Sequence, residues 1–179
     1  MSIQEGEKVP AIALKKMGTN GPEDVDTAKY FAGSKVVLFS VPGAFTPTCS
    51  AKHVPGFVQN ADALKAKGVD KIACLAVNDA FVMGAWGKDE IICLSVNDGF
   101  VMNAWAEATG AKGKIVFLAD GSAAFTKALG LELDLIAAGL GVRGQRFAMV
   151  VDDGTVTHLA VEAPGAFEVS SAEAILKAL

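Results

Sequence analysis

The chain has 179 residues, 51% of them apolar, and a formal net charge of -4. That length fits one domain, residues 1–179, with enough apolar material for a full core, and the acidic balance offers no concentrated Lys and Arg for nucleic acid or an anionic membrane surface. No apolar run reaches the roughly 18 residues that span a bilayer, and the start, MSIQEGEKVPAIALKK, lacks the basic-then-apolar order of a signal peptide, so a soluble cytoplasmic protein is expected.

In chain order, apolar β-rich runs alternate with helical patterns. KVVLFSV is followed by a helix, IACLAV by a second, IICLSV by a third and KIVFLAD by a fourth; then come RFAMVVD, VTHLAVE and a last helix. This is an α/β pattern with a mostly parallel sheet. Asp153-Gly154 between RFAMVVD and VTHLAVE predicts a tight antiparallel hairpin. Ser170 and Glu173 form a capping box ahead of AILKAL, which places the last helix start there.

IACLAVNDAFVMGAW, residues 72–86, returns 19 positions later as IICLSVNDGFVMNAW, residues 91–105, with 11 of 15 positions identical. Two copies are too few for a solenoid. The expectation is a local duplication that adds one parallel strand and one helix, since both copies keep an apolar Phe, Val, Met, Trp stripe that needs burial. Met83, Trp86, Met102 and Trp105 are read as core or subunit-contact faces. Any subunit contact made through this unit is expected to be altered by the extra helix.

Three cysteines, Cys49, Cys74 and Cys93, form no C-x-x-C pair, and the histidines are His53 and His158. Reduced thiols suit this set better than a zinc site or a disulfide scaffold. Cys74 and Cys93 sit in apolar strands and are read as small core residues. Cys49 is placed differently. In VPGAFTPTCSAKHVPGF, Thr46 reads as a helix N-cap, Pro47 as the first helical residue and Cys49 as the third. Val54, Phe57, Val58, Ala61 and Leu64 continue the buried stripe, Pro55 should kink it and Gly68 should end it. A sulfur in a helix's first turn faces unpaired N–H groups and the positive end of the dipole, an environment that favours the attacking thiolate.

Pro42, Thr46 and Cys49 resemble the P-x-x-x-T-x-x-C signature of peroxiredoxins, and the surrounding sequence is similar to the type II, peroxiredoxin-five-like branch. The resemblance extends through VNDAFVM, LADG, FTKALGLELD and QRFAMVVDDG. It implies a thioredoxin-like fold, reduction of hydrogen peroxide and alkyl hydroperoxides, and Cys49 as the peroxidatic nucleophile. By the same resemblance Thr46 offers its hydroxyl to peroxide and thiolate, Pro42 shields the pocket from water and Arg146 supplies a guanidinium. Displacement at an O–O bond needs donors for the departing oxygen, which a guanidinium fork can provide. Arg143 is expected to be solvated or a neighbour of the site. His53, one turn beyond Cys49, either tunes the pocket or caps or packs.

Relatives of this branch often carry a second cysteine in the segment that here reads EAPGAFEVSSAE, and this chain has none after Cys93. The expected cycle therefore uses one cysteine, with glutathione and glutaredoxin, or thioredoxin, as external reductant. No metal, haem or nucleotide is expected. GLGVRG, residues 139–144, spells G-x-G-x-x-G but precedes a strand instead of opening a helix, so it is read as flexible backbone beside Arg146. A non-enzymatic peroxide-sensing switch using Cys49 stands as the alternative function, and a thiol-disulfide oxidoreductase is disfavoured by the missing C-x-x-C.

Overall fold

The computed structural model describes residues 1–18, 21–42, 48–76, 91–92 and 115–179. A mixed eight-stranded sheet organises them. Its strands are β1 (Ala13–Gly18), β2 (Gly21–Asp26), β3 (Lys35–Ser40), β4 (Lys71–Ala76), β5 (Ile91–Ile92), β6 (Val116–Ala119), β9 (Phe147–Asp152) and β10 (Thr155–Val161), in the order β10-β9-β3-β4-β5-β6-β1-β2. The strands from β3 to β6 are parallel; β9, β10, β1 and β2 pair antiparallel on the two sides. A separate hairpin joins β7 (Glu132–Leu135) to β8 (Gly141–Gly144).

β3 and β9 lie side by side and their apolar runs are buried: Val36, Val37, Leu38 and Phe39 on one, Phe147 to Val151 on the other. Near-continuous apolar sequence is what a strand covered on both faces requires. The helices that flank them are α1 (Thr27–Phe31), α2 (Val54–Gln59), α3 (Ala61–Ala66), α4 (Ala124–Ala128) and α5 (Ala172–Ala178). α5 packs on α2 and on β9. Asp120, just past β6, ties α4 to the sheet by accepting from the Phe125 and Thr126 N–H groups.

The predicted β9–β10 hairpin is present. Asp153 and Gly154 take φ of 45° and 73°, the two left-handed positions that a tight hairpin of this hand needs. Of the extra parallel strand expected from the repeat, the described residues show two, Ile91 and Ile92. Ile91 pairs with Ile72 and Ile92 with Val116, but beyond that point β4 lies directly against β6, from Ala73–Val116 to Ala76–Ala119. A full intervening strand would break those pairs, so the first copy alone fills the place beside β3. The expected extra helix and Met83, Trp86, Met102, Trp105 and Cys93 lie outside the described residues.

GLGVRG is not flexible backbone. Its last four residues are β8, held to β7 in antiparallel register, and left-handed glycines at Gly139 and Gly141 turn the chain into it. The predicted Ser170–Glu173 capping box does not form, and the Glu173 carboxylate accepts from the Asn60 amide instead. α5 begins at Ala172 with Ser171 as N-cap, whose hydroxyl accepts from the Ala174 N–H. Ser170 is unavailable because the Glu162 carboxylate holds both its N–H and its hydroxyl.

Candidate active site

Cys49 lies beyond the C-terminal end of β3, where parallel α/β sheets place their reactive groups. The chain there is wound wider than an α-helix. Cys49–His53 is a π-helical turn, and the Val54 N–H donates to the Cys49 carbonyl, five residues back. Pro55 accounts for the change of pitch: without an N–H it cannot donate to Ala51, and the ladder slips by one residue before α2 resumes. The predicted stripe is borne out in Val54, Phe57, Ala61 and Leu64, which are buried, and in Val58, which is half-buried. Gly68, at φ 83°, follows the end of α3. Thr46 and Pro47 lie outside the described residues.

The Cys49 side chain is fully buried. The Arg146 Nη1 donates to its Sγ across 3.3 Å. The same Nη1 donates to His53 Nδ1 at 3.0 Å, so both hydrogens of one nitrogen are engaged. His53 Nε2 donates in turn to the Ser170 carbonyl at 3.0 Å. A carbonyl only accepts and a guanidinium only donates, so the imidazole is neutral with its proton on Nε2. Burial, reinforced by the Arg146 charge and only partly opposed by the Ser170 carbonyl, pulls the His53 pKa down to about 3.

Aromatic rings enclose these groups. Phe39, Phe57 and Phe167 have centroids 5.0, 5.7 and 4.9 Å from the His53 ring, and the Arg146 guanidinium lies 5.7 Å from the Phe167 centroid. Arg146 sits between β8 and β9, its carbonyl accepting from the Glu162 N–H at the end of β10. The central sheet therefore fixes the backbone from which the guanidinium reaches Cys49.

Pro42 follows β3 and is half-buried; its carbonyl accepts from Arg143 Nη1 at 3.5 Å. Arg143 is not solvated. It is buried at 6% exposure, its Nε donates to the Leu140 carbonyl, and desolvation draws its pKa down. Cys74 is on β4, in register with Phe39 of β3. His53 both packs and touches Arg146, which joins the readings its spacing left open. Sequence reasoning missed Phe167, Ser170 and Glu162, whose only signal was their place in the segment where relatives carry a second cysteine. Among the described residues no cluster of His, Cys, Asp and Glu is placed to hold a metal ion, and no helix is long and apolar enough to cross a membrane.

The Redoxin family model matches the chain in two pieces, residues 4–91 and 87–176, which meet at the repeat. Peroxiredoxin-2C of Arabidopsis thaliana is 47% identical over 178 residues, covering 99% of this chain and 98% of its own. Peroxiredoxin-2E, chloroplastic, of the same plant is 48% identical over 99% of this chain and 70% of its own. The crystal structure of reduced Prx3 from Vibrio vulnificus in complex with hydrogen peroxide is 49% identical, with a TM-score of 0.82 over 98% of both chains.

Proposed function

The chain belongs to the peroxiredoxins and is a thiol-dependent peroxidase, and from that premise we propose a one-cysteine cycle in which Cys49 is the nucleophile and Arg146 its donor. The Cys49 thiolate attacks one peroxide oxygen. An S–O bond forms, the O–O bond breaks, and the departing hydroxide or alkoxide takes a proton from solvent to leave as water or alcohol. Cys49 is oxidised by two electrons to the sulfenic acid. An external thiol then displaces water to give a mixed disulfide, and a second thiol releases Cys49.

The observation that carries this reading is the 3.3 Å contact between the Arg146 Nη1 and a fully buried Cys49 Sγ. Charge grows on the departing oxygen, and a fixed guanidinium in a water-poor site meets it without reorganising. The aromatic wall of Phe39, Phe57 and Phe167 keeps the local dielectric low. Resemblance to type II peroxiredoxins supports the further roles of Thr46 as hydroxyl partner of the peroxide and Pro42 as a shield against water. It also supports a homodimer that uses glutathione and glutaredoxin, or thioredoxin, as reductant. The cytoplasm is the proposed location, because an odd set of three cysteines with no C-x-x-C pair fits a reducing compartment.

Stopped-flow mixing of the reduced protein with hydrogen peroxide tests the assignment. Cys49→Ser should show no reaction, and Arg146→Lys should be slowed because a point charge cannot replace the fork. An unchanged Arg146→Lys rate constant would remove Arg146 from the site. Turnover well beyond one equivalent of peroxide with excess reductant separates the peroxidase from a switch that stops after one oxidation.

A further inference from the structure

Glu162 directly follows β10 and is only 8% exposed, and its carboxylate is engaged by the segment that follows it. One oxygen, Oε1, accepts from the Glu168 N–H, the Ser170 N–H and the Ser170 hydroxyl, each at 2.8 Å. Burial alone would raise its pKa, but these donors outweigh burial and hold the carboxyl below the ordinary range, so the group is charged. Three donors on one carboxylate oxygen clasp the turn from Glu168 to Ser170. That turn presents two things to the active site: the Ser170 carbonyl to His53 Nε2, and the Phe167 ring to His53 and Arg146.

We propose that Glu162 is a positioning residue for the peroxide-reducing step, acting through Ser170, His53 and Arg146. One chain of hydrogen bonds connects these residues. The clasp fixes the Ser170 carbonyl; the carbonyl keeps the proton on His53 Nε2; Nδ1 is then free to accept from Arg146 Nη1. With one Nη1 hydrogen committed to His53, the other points at the Cys49 sulfur. If the clasp is lost, the imidazole can place its proton on Nδ1, where it opposes the guanidinium instead of accepting from it. Arg146 then loses the partner that sets its orientation. The Glu162 backbone N–H also donates to the Arg146 carbonyl, so one residue holds both ends of the guanidinium's support.

The inference rests on Arg146 as donor to Cys49, so Arg146→Lys is measured beside the Glu162 variants. Two readouts are needed: the rate constant for reduced protein with hydrogen peroxide, and nitrogen-15 NMR of the His53 ring, which reports the tautomer. Glu162→Ala should be slower by about tenfold to hundredfold, the scale expected when a reacting group is misplaced, and should show a mixed His53 tautomer. Glu162→Gln keeps an acceptor oxygen for the three donors and should recover most of the rate together with the Nε2–H tautomer. Glu162→Asp, whose carboxylate is drawn back from the turn, replaces the alanine variant if that one does not fold, and should be slow. A wild-type rate and tautomer in the alanine or aspartate variant would overturn the proposal, as would a glutamine variant as slow as alanine. A normal rate in Arg146→Lys would overturn it together with the reading of Arg146. A slow Arg146→Lys beside an unaffected Glu162→Ala would overturn the role of Glu162 alone.

Discussion

Ile72 and Ile91, the first residues of the two repeat copies, are Cα partners in adjacent parallel strands. The pairing stops there, because Ala73 to Ala76 turn directly to Val116 to Ala119. Among the described residues the second copy places Ile91 and Ile92 as a wedge at the start of β4, and the rest of the β4–β6 seam is closed.

Deleting residues 78–96 removes 19 residues (96 minus 77) and joins IACLAV to NDGFVMNAW, restoring one unit. The sheet needs no other change. Shortening the connection by about half stabilises by only about 0.6 kcal/mol, so the deletion should fold with a thermal midpoint equal to or slightly above that of the full chain. Peroxidase activity should persist. Calorimetry showing a large loss of stability would mean that both copies support the core.

The buried His53 makes acid stability a readout of the site. Its ordinary pKa is 6.5 and its folded value about 3. Between these values the unfolded chain binds a proton that the native chain refuses, so stability rises with pH across that window and is fully present above pH 6.5. It should fall as pH drops from 6.5, by up to about 1.4 kcal/mol per unit. Glu162, held low in the fold, loses stability on acidification with the same sign. The difference between the wild type and His53→Gln therefore isolates the histidine, and urea midpoints should show the shallower slope in the variant. Parallel slopes would contradict a neutral native imidazole.

The β9–β10 turn offers a change remote from the site. Gly154 holds φ 73°, and a Cβ there would meet only Lys8 Cδ at 3.9 Å, so the cost of Gly154→Ala is backbone strain without a clash. It should lower stability by about 1 kcal/mol and leave the rate with peroxide unchanged. Chemical denaturation measures the first effect and stopped-flow the second.

What the sequence disclosed follows the range of the interactions concerned. β3 and β9 were legible as apolar runs, and the turn between β9 and β10 as Asp153-Gly154, because local composition determines them. β1 and β2, ALKKMG and GPEDVD, went unread because strands at a sheet margin carry polar residues that obscure the period of two. Ser171 took the cap expected of Ser170 because Glu162, eight positions earlier, holds Ser170, a contact that lies outside the four-residue span of the capping pattern. Cys49 could be singled out from its proline and threonine neighbours, and Arg146 only from a family resemblance, since they lie 97 positions apart. The tautomer of His53 depends on Ser170, 117 positions away, and no local pattern announces that contact.

Peptide mass spectrometry after a pulse of excess hydrogen peroxide, with no reductant present, tests the one-cysteine cycle at Cys49 most directly. No thiol follows Cys93 in the chain, and Arg146 directs the chemistry to one buried sulfur. The sulfenic acid should therefore persist and be carried on to sulfinic acid, with two added oxygens on the Cys49 peptide while Cys74 and Cys93 stay reduced. An intramolecular disulfide from Cys49 to Cys74 or Cys93 as the main product, or oxidation that spares Cys49, would contradict it.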